Sequence, residues 1–159
     1  MKMKKQFDRN LYNKADSVAK KHMIEWLEAT QPKCSVNSEE TTFFDLTVKT
    51  DDGGYPQLYE VEIKYSWTGE WPENWKELRI PFRKKRLLDE WKRRYSDYMC
   101  TFIVFNHDCT KAWHVDANTV LESPVKEAAN KHITKGELFF HIPVDQAYVV
   151  DMTNGKRSS

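Results

Sequence analysis

Hydrophobic and polar positions alternate most strictly in Tyr59–Tyr65, YEVEIKY, where Val61 and Ile63 fall on one side of a predicted strand and Glu60, Glu62 and Lys64 on the other. Upstream, TTFFDLTVKT alternates in the same way, with Phe44, Leu46 and Val48 on one parity and Asp45, Thr47 and Lys49 on the other. The turn residues Asp51, Asp52, Gly53 and Gly54 separate the two runs. The pattern predicts a hairpin with strands near 41–49 and 57–66, carrying Asp45 on one arm and Glu62 with Lys64 on the other.

A helical period governs the flanks. From about Asp8 to Ala29 the chain lacks Gly and Pro and spaces Ala15, Val18, Ala19, His22, Met23 and Trp26 on one stripe, ending before Pro32. SWTGEWPENW, with turn residues at Gly69 and Pro72, reads as a lid or a packed loop. Phe82 to about Tyr95 predicts a basic helix with Leu87, Leu88, Trp91 and Tyr95 inward and Arg83, Lys84, Arg86, Lys92 and Arg93 directed elsewhere. CTFIVFN, residues 100–106, suits a strand buried on both faces, and KAWHVD, 111–116, pairs beside it. Beyond a helical turn at 118–122, ELFFHI and AYVVDM are strand-like pieces around Pro143. The expected architecture is α/β: an N-terminal helix, then a mixed central sheet of four or more strands flanked by helices. Residues 1–152 form one domain in this reading, with 153–159 as a tail.

Length and composition agree with one core: 159 residues, 40% hydrophobic and 13% aromatic. The net charge of +1 hides an uneven distribution. Lys76–Arg94 holds nine Lys or Arg against three acids, a stretch suited to a polyanion. Three cysteines without paired spacing argue against a disulfide framework and for a reducing, cytoplasmic setting. No apolar run suggests a membrane span or an export signal.

An Asp on one strand and E-x-K on its neighbour bring two carboxylates and an ammonium to one end of a sheet. Such a group suits metal-assisted phosphodiester hydrolysis: carboxylates hold a hard cation such as Mg²⁺, and an ammonium orients water and shields the phosphate. The order of helix, Asp-bearing strand, E-x-K strand, basic helix and buried strand, over roughly residues 8–116, resembles the core of the PD-(D/E)XK nuclease superfamily, which is restriction-endonuclease-like.

The resemblance implies that Asp45, Glu62 and the Ile63 carbonyl hold Mg²⁺ or Mn²⁺, that Lys64 orients the attacking water, and that Asp16 in the first helix adds an acid, with Glu25 as a second candidate. The chain departs from the family pattern where Phe44 replaces the proline before the aspartate. It departs again in the short helix acid and in lacking a clear glutamine on the later helix. Arg83, Lys84 and Arg86 are expected on the DNA backbone, and Glu60 at the surface or in outer support. DNA is the expected partner, branched or single-stranded rather than a specific sequence. A homodimer through the C-terminal strands and a phage or mobile-element source are compatible with the small size.

Blander readings stand beside these. The hairpin charges fit a solvated strand face, the basic helix fits the wet side of an amphipathic element, and the tryptophans fit loop anchors better than base-stacking platforms. His107, Cys109 and His114 lack a second pair at zinc spacing, so no structural metal is assigned. The alternative function is a catalytically inactive nuclease-fold module for DNA binding or assembly.

Overall fold

The structure, a computed structural model, describes residues 9–37, 44–51, 53–128 and 136–153, with side chains from residue 17 onward. Helix α1 spans Arg9–Thr30, followed by strands β1 (Cys34–Asn37), β2 (Leu46–Thr50) and β3 (Gln57–Ile63). Next come β4 (Glu77–Pro81), helix α2 (Lys85–Arg94), β5 (Met99–Phe105), β6 (Lys111–Asp116) and helix α3 (Ala117–Glu122). Strands β7 (Val125–Glu127), β8 (Leu138–Pro143) and β9 (Tyr148–Asp151) complete the described chain. None of the described helices is long and apolar enough to cross a membrane.

The fold is α/β, with a mixed six-stranded sheet in the order β1-β2-β3-β5-β6-β9 and a smaller sheet β4-β8-β7. Strands β3 and β5 at its centre run parallel, Gln57 opposite Met99 through Ile63 opposite Phe105. A parallel pair needs a crossover, here β4 and α2, and a crossover covers a face. β3 is therefore buried on both sides. Tyr59 and Val61 pack with Leu46, Val48, Ile103 and Phe105 against Ala19, Met23 and Leu27 of α1. Leu58 lies on the other face with Phe102, Val104, Leu87, Leu88 and Trp91, under the smaller sheet's Leu78, Ile80, Phe140 and Ile142.

Several expectations change at this level. Residues 41–43 of the expected first strand lie outside the described residues. β2 begins only at Leu46, and Phe44 joins the core on the α2 side while Leu46 and Val48 join the α1 side, so the expected shared parity is wrong. The chain bends at Phe44 and Asp45, which breaks the alternation there. The basic helix starts later than expected, because Phe82–Lys84 forms a single 3₁₀ turn after Pro81. Val18 stays 38% exposed instead of joining the helical stripe, whose place is taken by Leu27.

The tryptophan segment is a packed loop. Trp67 is fully buried, and Trp71 meets Trp67, Trp75 and Trp113 edge to face at ring distances of 5.0–5.3 Å. The indole N–H of Trp71 donates to the Trp75 carbonyl at 2.7 Å. The two C-terminal pieces separate: β8 turns Phe140 and Ile142 into the core, whereas β9 pairs with β6 at the sheet edge and leaves Tyr148 and Val149 exposed.

Candidate functional site

The site forms where the ends of β2 and β3 meet. Antiparallel pairing sets Leu46 opposite Tyr59, so the residue before β2, Asp45, falls beside Glu60 at the middle of β3, two residues before Glu62. Backbone bonds hold it there. The Val61 N–H donates to Asp45 Oδ2 at 2.9 Å, and the Asp45 N–H donates to Glu60 Oε1 at 3.3 Å. Lys20 of α1 approaches Asp45 Oδ1 to 3.8 Å.

Glu60, Glu62 and Lys64 keep the common side expected from alternation, but it is no solvated edge. Glu60 is 6% exposed, and Glu62 and Lys64 are half-buried. The Lys64 ammonium lies 5.4 Å from the centre of the Trp75 ring, a distance at which the ring face attracts the cation. Ile63 ends β3, and the following N–H, that of Lys64, donates to the Phe105 carbonyl at 2.8 Å.

Lys84 corrects the expectation of a DNA-facing lysine. Its side chain turns inward, 8% exposed, and its ammonium meets Glu60 Oε2 at 2.5 Å. The 3₁₀ turn is the local cause: Phe82 packs on Phe140 at 5.4 Å between ring centres, which brings the next residues of the turn over β3. Arg83 and Arg86 remain exposed, Arg83 with its guanidinium 4.0 Å from Glu137. Asp16 belongs to α1, but its side chain lies outside the described residues. Glu25 is near His22 at 3.9 Å on the same helix, both part-exposed, and the His22 ring lies 6.3 Å from Phe105 at the end of β5.

Removal from water raises the energy of ionised carboxylates, and the site shows the effect. Asp45 is pushed up to about 7, first by burial and then by the neighbouring Glu60 charge, against the Val61 N–H and the ammonium groups of Lys84 and Lys20. Glu62 is also raised by burial; Lys84, Arg83 and Lys64 act to lower it and Asp45 to raise it. Lys64 is lowered by burial and by Arg79, with Glu62 opposing. Glu62 thus lies within electrostatic reach of Asp45 on one side and of Lys64 on the other.

The donor set suits a hard cation. Among the described residues no group of three or more His, Cys, Asp or Glu side chains closes a metal cage, so an ion here would rely on two carboxylates, a backbone carbonyl, water and phosphate oxygens. Mg²⁺ commonly binds in that way, keeping water and taking few protein ligands. Glu60 and Lys84 neutralise each other, and Lys20 and Lys64 stand near Asp45 and Glu62, so the carboxylates of the site are balanced by ammonium groups when all are ionised. Glu60 and Lys84 are what sequence reasoning missed.

No protein-family model matches this chain, and no curated protein matches it.

Proposed function

We propose that this chain is a Mg²⁺- or Mn²⁺-dependent nuclease with a restriction-endonuclease-like core, hydrolysing DNA phosphodiester bonds at the end of β3. The observation that carries the reading is the electrostatic grouping around Glu62: the carboxyls of Asp45 and Glu62 are both shifted against ionisation by removal from water, and the Lys64 ammonium interacts with Glu62. Perturbed groups of this kind gather where chemistry or binding repays the cost of burying charge. The order of elements adds support, with a helix, an Asp-bearing strand, an E-x-K strand and a helical crossover to a parallel strand.

Asp45, Glu62 and the Ile63 carbonyl are the groups that would hold the cation. When bound, the ion neutralises charge on the phosphate oxygens and makes a coordinated water more acidic. Lys64 contributes from the chain itself. Burial and Arg79 lower its proton affinity, so its amine serves to orient the attacking water and to exchange a proton with it. The Trp75 ring attracts the ammonium that stands over its face, which helps keep that amine at the end of the strand. Arg83 and Arg86, both exposed on the turn and helix after β4, supply sequence-independent contacts to the DNA backbone.

Incubation of plasmid, linear and branched DNA with Mg²⁺ or Mn²⁺ tests the reading, beside Asp45→Asn, Glu62→Ala and Lys64→Ala. Cleavage by the wild type that all three substitutions abolish supports it. Equal cleavage by every variant, or none by any, overturns it. Salt-sensitive DNA binding without cleavage points instead to an inactive nuclease-fold module.

A further inference from the structure

The buried pair Glu60–Lys84 has no part in the mechanism above, yet it sits inside the acidic pocket. Glu60 joins three elements: its Oε1 accepts from the Asp45 N–H at 3.3 Å, its Oε2 meets Lys84 Nζ at 2.5 Å, and its backbone belongs to the central strand β3. Lys84 reaches further than this partner. Its charge acts favourably on Asp45 as well, and it is the foremost of the three cations that favour the charged form of Glu62, ahead of Arg83 and Lys64. One ammonium therefore serves three carboxylates.

Holding such a pair away from water is costly, and replacing a buried ion pair with apolar side chains is often neutral or stabilising. Retention of a charged pair this little exposed, Glu60 at 6% and Lys84 at 8%, thus calls for a role other than stability.

We propose that Lys84 is a positioning residue that acts as the pocket's resident counter-ion: its ammonium holds Glu60 against the start of β2 and opposes a divalent ion entering between Asp45 and Glu62. The inference rests on the reading of these two carboxylates as the metal site. In that setting Lys84 keeps the acids from binding cations too tightly before substrate arrives. A phosphodiester brings a negative charge that compensates the lysine, so cation and DNA strengthen each other's binding.

Calorimetric titration of the full chain with Mn²⁺ alone, in mildly alkaline buffer, separates this role from simple packing. Lys84→Met keeps the stem and removes the charge, and is expected to bind Mn²⁺ roughly tenfold more tightly, the scale of a like-charge repulsion at several ångströms under water-like screening. Glu60→Gln removes the carboxylate in direct contact with the lysine and is expected to weaken binding by a similar factor. The double variant, Glu60→Gln with Lys84→Met, is expected to return to within about threefold of the wild type.

A folded Lys84→Met with unchanged or weaker Mn²⁺ binding overturns the proposal. So does a double variant as weak as Glu60→Gln, because Glu60 would then be a ligand in its own right. Should Lys84→Met fail to fold, judged by circular dichroism, the other two variants decide the matter by the same criteria. No Mn²⁺ binding by the wild type or by Lys84→Met overturns the metal reading and the Lys84 inference with it, whereas binding by Lys84→Met alone supports both; binding by the wild type without a gain in Lys84→Met overturns the Lys84 inference only.

Discussion

Two charged clusters among the described residues differ in their access to water, and their carboxylates shift in opposite directions. In the smaller sheet His141 is 5% exposed, with Nδ1 at 2.7 Å from Glu77 Oε2 and Nε2 at 3.1 Å from the Lys126 carbonyl. Both partners, a carboxylate and a backbone carbonyl, are acceptors, so the ring ties Glu77 of β4 and the Lys126 backbone of β7 to β8 through its N–H groups. Arg79 and Lys126 stand at 3.9 and 3.8 Å from the same Glu77 carboxylate. Glu77 is accordingly lowered, chiefly by the His141 bond.

At the end of β3 the carboxylates of Asp45 and Glu62 move the other way, raised by burial. A carboxylate pulled down by its neighbours fastens strands together; one pushed up is held ionised only at a cost, which marks a place kept for something other than stability.

The largest effect that separates the two clusters is on activity. Asp45→Asn or Glu62→Gln is expected to lower metal-dependent DNA cleavage by at least about 100-fold, the range seen when a preorganised charge-stabilising group is lost. His141→Ala is expected to leave cleavage per folded molecule unchanged. Steady-state cleavage assays on protein purified in its folded state compare them, and equal losses for all three would erase the distinction.

Stability should show the reverse order. His141→Ala removes a buried ring that ties β8 to Glu77 of β4 and the Lys126 carbonyl of β7, and is expected to cost about 2–4 kcal/mol in denaturant unfolding. A loss under about 0.5 kcal/mol would show that the smaller sheet does not depend on this bond.

Acidity sharpens the contrast further because the signs differ. The folded-state value of Asp45 is raised to about 7, so its favourable share is complete below the ordinary carboxylate range near 4 and is lost as pH rises through about 7. Asp45→Asn is therefore expected to gain on the order of 1–3 kcal/mol relative to wild type between pH 4 and pH 8. Glu77 is lowered, so its share is present above the ordinary range and is lost as pH falls through its folded value. Glu77→Gln should cost under about 1 kcal/mol at neutral pH, since the carboxylate is 34% exposed, and should match wild type in acid. Urea melts of both variants across that range check the crossing slopes; parallel slopes would contradict the assignment.

The smallest expected effect lies outside both clusters. Arg86→Ala is expected to weaken DNA binding a few-fold and to reduce the salt dependence by about one unit of slope, with stability unchanged. Fluorescence anisotropy at several salt concentrations measures it. An unchanged slope would place the DNA path elsewhere.

Periodicity was a good guide to elements and a poor one to what covers them. The stripe containing Ala19 and Met23, the alternation of β3 and the inward set Leu87, Leu88 and Trp91 are readable because each rests on local spacing. β1 and β4 escaped notice since CSVN and ELRIP are short and surrounded by polar residues. Glu60 was misjudged for a physical reason: alternation shows which residues share a side, but not whether that side meets water. A parallel partner for β3 obliges a crossover above it, and the charges beneath must then be buried and paired. The partner was legible too. Lys84 precedes Leu87, Leu88 and Trp91 by three, four and seven residues, the spacing of one helical face, so it belonged with the inward set. The bend at Asp45 had no comparable signal, because it depends on the Val61 N–H of another strand.

The most direct measurement is an anomalous-scattering map from crystals of the full chain equilibrated with Mn²⁺. The account predicts a Mn²⁺ peak within bonding distance of carboxylate oxygens of both Asp45 and Glu62, absent from Glu62→Gln crystals. A peak elsewhere, or none at saturating Mn²⁺, would contradict it.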